Sequence, residues 1–263
     1  MKYFDAHCHV QFPQYDEDRE EVVTALKQAD IGGLVVGCDL ESSKKAVALA
    51  EQHDHLWASI GLHPNHEADE WYEETHYLEL GKSSKVVAVG ECGLDYYRPT
   101  EITDEVKRKQ KNVFKDHIRL AVALDKPLVI HARPSKGTVD AYADALDLLE
   151  EAKQKHPHLR GDFHFFVGDI PTMERIVALD FTISYTAVLT FARDYDEVVR
   201  TIPLTHILSE TDSPYVAPIS RRGKRNDPTA VLEVAAKIAE IRGENPETVQ
   251  VALLQNAKAL FRL

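Results

Sequence analysis

The sequence predicts a single (β/α)8 TIM barrel, and three observations carry that expectation. Eight short apolar runs rich in Val, Ile, Leu and Phe recur along the chain, longer stretches with helical periodicity separate them, and no Gly-, Pro- or Ser-rich linker divides the alternation. With 263 residues, 44% hydrophobic and 28% charged, the chain has the length and composition of one such barrel spanning 1–263. A doubly wound open sheet is the alternative arrangement of the same units.

The first strand is expected at 2–9 (KYFDAHCH), followed by a helix at 17–30 with Val22, Val23, Leu26 and Ala29 on one face. A strand at 33–38 (GLVVGC) precedes a helix at 42–53 carrying Ala46, Leu49 and Ala50 inward. Strands at 56–62 (LWASIGL) and 86–91 (VVAVGE) follow, with no helix assigned between them. The stretch 103–125 opens on Thr103, has Glu105 in its first turn and repeats Val106, Val113, Phe114, Ile118, Ala121 and Val122, as a long capped helix does. Strands at 127–131 (PLVIH), 161–166 (GDFHFF), 181–186 (FTISYT) and 206–211 (HILSET) alternate with helices at 138–155, 171–179 and 191–200. Two helices, 227–242 and 246–261, close the chain behind Asp227-Pro228 and Asn245-Pro246.

Acidic residues outnumber basic ones 43 to 31, a formal charge of -12, which argues against a protein that grips nucleic acid through bulk charge. Cys8, Cys38 and Cys92 form no CxxC pair and no even framework, so neither a disulfide scaffold nor a zinc ribbon is expected. There is no apolar run of about 18 residues and no N-terminal stretch of signal-peptide character. The expectation is a soluble, cytoplasmic protein with no membrane association and no obligate protein partner.

In an α/β barrel the active site lies at the carboxyl ends of the strands, so polar residues there need a reason. The first strand ends His7-Cys8-His9, and a period of two puts both imidazoles on one side and Cys8 on the other. His53-Asp54-His55 and His156-Pro157-His158 share the pattern but precede strands, at the opposite face, and read as surface histidines. The fourth strand ends at Glu91, a carboxylate after an apolar run that needs a cation. The fifth strand ends at His131, the sixth contains His164 and the eighth runs into Asp212. Any one of these alone is more simply a core histidine or a turn cap. Together, six such groups on five strand ends would repel or stay unsatisfied without metal, and two divalent ions sharing one carboxylate resolve this. His63, in Gly61-Leu62-His63-Pro64, is a seventh polar group at that rim, suited to orienting a phosphate or leaving oxygen or to a structural turn.

The motifs FDAHCH (4–9), VGCDLESS (36–43), IGLHP (60–64), VVAVGECGLDYYR (86–98), LVIHAR (128–133), ETDSPYVAP (210–218) and RGKRNDP (222–228) together resemble the TatD family of metal-dependent hydrolases, across nearly the whole chain. The resemblance implies that His7, His9, Glu91 and Asp212 hold one metal and that Glu91 bridges to a second held by His131 and His164. The sequence departs from the family at His164-Phe165-Phe166-Val167, where Phe165 and Val167 are expected to narrow the pocket, and at Ala132-Arg133-Pro134-Ser135-Lys136-Gly137.

Two divalent ions, Mg, Mn or Zn, generate hydroxide near neutral pH, and Asp212 is the candidate general base, with Glu91 and His63 as its catalytic companions. Positive charge for a phosphodiester is expected from Arg133 and from Arg222 and Lys224 in the loop Arg221-Arg222-Gly223-Lys224-Arg225. Tyr96 and Tyr97 are candidates for stacking on bases. The resemblance implies a deoxyribonuclease of 3'-5' exonuclease type, acting on DNA ends or single-stranded DNA. A metal-dependent ester or amide hydrolase, such as an aminoacyl-tRNA deacylase, is the alternative, since the same hydroxide attacks a carbonyl.

Overall fold

A computed structural model describes residues 1–65 and 72–263. Eight parallel strands run in sequential order, β1 (Tyr3–Cys8), β2 (Ile31–Val36), β3 (Leu56–Ile60), β4 (Val86–Asp95), β5 (Leu128–Arg133), β6 (Gly161–His164), β7 (Thr182–Tyr185) and β8 (Ile207–Ser209). A bridge between Cys8 and Ser213 brings the end of β1 against the loop after β8, so the sheet curls into a nearly closed barrel. The open-sheet alternative is thereby set aside.

The helices are α1 (Arg19–Gln28), α2 (Leu40–Gln52), α3 (Glu74–Leu80), α4 (Asp104–Leu124), α5 (Asp140–Lys155), α6 (Ile170–Ala178), α7 (Asp196–Thr201), α8 (Val231–Arg242) and α9 (Pro246–Phe261). Their starts follow local capping chemistry. Asp39 accepts from the Ser42 backbone N–H ahead of α2, Thr103 from Val106 ahead of α4, and Asn245 from Glu247 and Thr248 ahead of α9. Val22, Val23 and Leu26 of α1, and Phe114, Ile118 and Ala121 of α4, are buried in the core between helices and sheet. A second apolar cluster joins Phe4 and Ala6 of β1 to Ala257 and Phe261 of α9.

Several boundaries differ from the sequence reading. Between β3 and β4 the short helix α3 packs Tyr77 into the core; at seven residues it is too brief to show periodicity. The helix expected at 191–200 begins only at Asp196, after a 3-10 turn at Ala187–Thr190, and the one expected at 227–242 starts with a 3-10 turn at Pro228–Ala230. β6 ends at His164 because Phe165 takes a left-handed φ of 48°, and β8 ends at Ser209, so Asp212 sits in the loop beyond it, with φ 50°. β4 runs four residues past Glu91 to Asp95.

That extension sets up the site. The β4 to β5 register shifts between Val89 and Cys92, and Glu91 lies in the irregularity, between Gly90 and Gly93. Both glycines have positive φ, 147° and 135°, and a Cβ on either would run into the backbone of β5, at Val129 and His131 respectively. Only glycine lets β4 carry the Glu91 side chain through such close contact.

Candidate active site

Period-two alternation at the end of β1 brings the His7 and His9 imidazoles together, Nε2 to Nε2 at 3.1 Å, while Cys8 turns away and donates its Sγ–H to the Leu34 carbonyl. His9 donates through Nδ1 to the Val36 carbonyl at 2.9 Å, which leaves the Nε2 lone pair for another partner. Asp212 Oδ1 lies 3.5 Å from His9 Nε2 and 3.9 Å from His7 Nε2. Its loop is held to β1 by two backbone bonds, Asp212 N–H to the His7 carbonyl and His9 N–H to the Ser213 carbonyl. Buried Asp5 reinforces the joint by accepting from the Thr211 N–H and hydroxyl.

Glu91 stands at the centre, 4% exposed, and its two oxygens face different neighbours. Oε2 lies 3.5 Å from His7 Nε2 and 4.0 Å from His9 Nε2, whereas Oε1 lies 3.0 Å from His131 Nδ1 and 3.4 Å from His164 Nε2. Burial works to raise its carboxyl, but His63 together with hydrogen bonds from His131 and His164 hold it well below the usual carboxylate range. Two of the candidate metal-binding groups among the described residues, His7 with His9 and Glu91, and Glu91 with His131 and His164, therefore share this one carboxylate.

Each outer histidine is oriented from behind. His131 Nε2 meets Asp95 Oδ2 at 3.1 Å and His164 Nδ1 meets Glu210 Oε1 at 3.1 Å, so the other ring nitrogen of each faces Glu91. This mixed imidazole and carboxylate set, its rings fixed by outer acceptors, fits divalent metal. Asp95 and Glu210 are the functional residues that the sequence reading missed. A signal for each existed, since Asp95 lies four residues from Glu91 and Glu210 two residues from Asp212, spacings that put each pair on one side of an extended chain. Glu210 is fully buried and also accepts from the Phe165 N–H and the Ser184 hydroxyl.

His63 joins the cluster, with Nε2 3.4 Å from Glu91 Oε1 and Nδ1 accepting from the Asn65 N–H. Burial pushes its imidazole down to about 3.

The cluster opens into a cavity of about 670 Å3. Phe165 and Val167 line it, as expected from the departure at that segment, and so does Arg133, whose guanidinium lies 4.1 Å above the Tyr97 ring. Tyr97 itself is 52% exposed and stands outside the cavity lining. Tyr96 is not available for stacking, being buried with its hydroxyl donating to Asp144. The loop 221–225, with Arg222 and Lys224, stays outside the lining. Arg221 pairs with Asp227, Arg225 with Asp18, and Arg222 stacks on Phe191 at 4.3 Å. Arg98 and Tyr215 occupy the walls instead. The other two HxH pairs sit where the strands begin, with His55 bonded to Asp54 and the Val23 carbonyl.

No described helix is long and apolar enough to cross a membrane.

Comparison with known proteins agrees with this geometry. The family described as TatD related DNase matches residues 4–262. The Bacillus subtilis protein named "Uncharacterized metal-dependent hydrolase YabD" is 36% identical, covering 99% of each chain. The Citrobacter koseri protein named "3'-5' ssDNA/RNA exonuclease TatD" is 32% identical, covering 98% of each. Among solved structures, the TatD homolog YJJV from Escherichia coli K12 superposes with a TM-score of 0.86 at 28% identity, over 100% of this chain and 98% of that one. With this match along its length, the chain is a metal-dependent hydrolase and belongs to the TatD-related DNase family.

Proposed function

We propose that the protein is a two-metal phosphodiesterase that removes nucleotides from the ends of single-stranded DNA. The observation that carries this reading is the pair of arginines in the cavity wall. In a chain of formal charge -12, neither Arg98 nor Arg133 has a carboxylate partner among the described residues. Two unneutralised guanidiniums beside a metal-ligand cluster suit the oxygens of a phosphodiester better than the carbonyl of a neutral ester.

In this reading His7, His9 and Asp212 would hold one divalent ion, His131 and His164 would hold the other, and Glu91 would serve both. Ions held there would supply Lewis acidity and lower the pKa of water toward neutrality, with Mg, Mn and Zn all compatible with the candidate ligands. Asp212 accepts the proton of the attacking water as the P–O bond to the leaving nucleotide breaks. His63 stands beside Glu91, its Nε2 3.4 Å from Oε1. Arg98 and Arg133 hold the non-bridging oxygens, and Phe12 and Tyr215 offer ring faces to the terminal base. The acidic exterior limits the grip to a short segment, which favours strand ends over extended duplex. The relative from Citrobacter koseri, named as a 3'-5' ssDNA/RNA exonuclease, agrees in substrate class and polarity.

The test is to strip metal from the protein, restore Mg, Mn or Zn, and follow a 5'-labelled single-stranded oligonucleotide beside an aminoacyl ester. Metal-dependent shortening of the oligonucleotide, abolished by Asp212→Asn, is the expected result. Ester cleavage with the oligonucleotide left intact overturns it in favour of a deacylase.

A further inference from the structure

The motif at 222–228, RGKRNDP, has no role in the site described above, since its cations stand outside the cavity wall. Two of its residues instead hold the segment that carries Asp212. Asn226 is fully buried, and its side-chain amide donates to the Tyr215 carbonyl at 2.8 Å, to the Thr211 carbonyl at 3.2 Å and, more weakly, to the Val216 carbonyl at 3.4 Å. Its backbone N–H donates to the Pro214 carbonyl at 3.1 Å. One of these carbonyls stands immediately before Asp212 and the others follow it closely, so a single residue grips both flanks of the carboxylate.

The orientation of that amide is fixed. Carbonyl oxygens face its nitrogen, whereas Oδ1 has no partner among the described residues, and a reversed amide would set oxygen against oxygen. The grip is also anchored from behind. Tyr15, fully buried, donates its hydroxyl to the Asn226 carbonyl at 2.7 Å, and the neighbouring Arg225 lies 4.4 Å above the Tyr15 ring while pairing with Asp18. The loop after β8 is thereby tied to the segment that follows the two histidines of the first strand end.

The loop needs such a hold. Asp212 and Val216 both have left-handed φ, 50° and 52°, a conformation that a residue with a Cβ keeps only when its surroundings impose it. Backbone bonds to His7 and His9 secure Asp212 and Ser213, and Asn226 secures the residues on either side of them.

We infer that Asn226 is a positioning residue for Asp212, its amide holding the loop in the conformation that brings the carboxylate to the His7 and His9 pair. The segment 222–228 serves the metal centre in this way and not by touching substrate. The inference rests on the reading of Asp212 as a metal ligand and is independent of the substrate class.

The experiment measures Mn affinity of the metal-free protein by calorimetric titration in Asn226→Ala, Asp212→Asn and the double variant, with Asn256→Ala as control. Asn256 makes bonds of the same kind, donating to the Leu204 and Ile207 carbonyls at 2.8 and 2.9 Å, but at the start of β8 and away from the cavity. Asn226→Ala is expected to weaken Mn binding by about 10- to 100-fold, the range for losing an outer contact behind a ligand. The double variant is expected to bind no more weakly than Asp212→Asn, because two residues acting through one carboxylate are not additive. Asn256→Ala is expected to lower Tm and to leave Mn binding at the wild-type value. Unchanged affinity in Asn226→Ala, an equal loss in Asn256→Ala, or additive losses in the double variant overturns the positioning role while Asp212 stays a ligand. If Asp212→Asn itself leaves the affinity unchanged, the ligand assignment falls and the positioning role falls with it. Tyr15→Phe, which removes only the hydroxyl behind Asn226, covers the case of Asn226→Ala failing to fold. A loss of about fivefold in Mn affinity is then expected, the scale of one hydrogen bond, and wild-type affinity overturns the inference.

Discussion

Glu210 Oε1 meets His164 Nδ1 at 3.1 Å, and both side chains are almost wholly removed from solvent. The contact turns His164 Nε2 toward Glu91, and Glu210 pulls the His164 imidazole well above its ordinary value against the opposing effect of burial. Asp95 does the same for His131 on the other side of Glu91. Orientation from behind commonly governs metal affinity by about 10- to 100-fold. Glu210→Gln is expected to weaken metal binding by that factor, measured by calorimetric titration, with the far-UV spectrum retained. Unchanged affinity would show that His164 keeps its orientation without the carboxylate.

Metal should also hold the fold together. Ions that bind only the folded chain stabilise it by about 3 kcal/mol at ~100 times Kd, so loading with Mn or Zn is expected to raise Tm by several degrees and a chelator to reverse the gain. Asp212→Asn should reduce the increment. An identical Tm with and without metal at saturating concentration would contradict the ligand assignment.

Arg98→Ala and Arg133→Ala are each expected to raise KM for an oligonucleotide by about tenfold with a smaller effect on kcat, the signature of lost phosphate binding. Arg222→Ala and Lys224→Ala should lie near the wild type at physiological salt, because their loop stands outside the cavity. The reverse ranking would restore the basic loop as the substrate contact.

His117 gives a pH dependence of known sign. It is fully buried in α4, bonded through Nδ1 to the Val113 carbonyl and through Nε2 to the Leu62 N–H, which anchors the segment carrying His63. Burial lowers its imidazole from 6.5 to about 4. The unfolded chain takes up a proton below about 6.5 while the folded chain stays neutral to about 4, so its contribution is intact above that window and declines as pH falls through it. The loss is on the order of 3 kcal/mol. His117→Gln should flatten this part of the curve in denaturant titrations from pH 7 to pH 4. An equal slope in both proteins would refute the assignment.

Much of this molecule could be read from residue order. The eight β units, the long helix opening at Thr103 and the cluster of polar residues at strand ends all follow from local periodicity and from what a carboxylate or imidazole after an apolar run requires. The short helix α3 could not be read in this way, because seven residues carry too little periodicity. Nor could the difference between Arg98 and Arg222. Both are arginines in polar segments, and only the path of each loop decides which guanidinium reaches the cavity and which lies on Phe191.

By itself the sequence determined a barrel, the residue types able to hold metal and an acidic average surface, because alternation and composition are properties of neighbours along the chain. Tertiary structure decided which oxygen of Glu91 faces which histidines, that Asp95 and Glu210 stand behind His131 and His164, and which arginines reach the cavity. Those are relations between strands 40 or more residues apart in several cases, such as Glu91 with His131 and His164 with Glu210. They are set by the register of neighbouring strands and by the glycine-permitted irregularity of β4, and no local pattern encodes them.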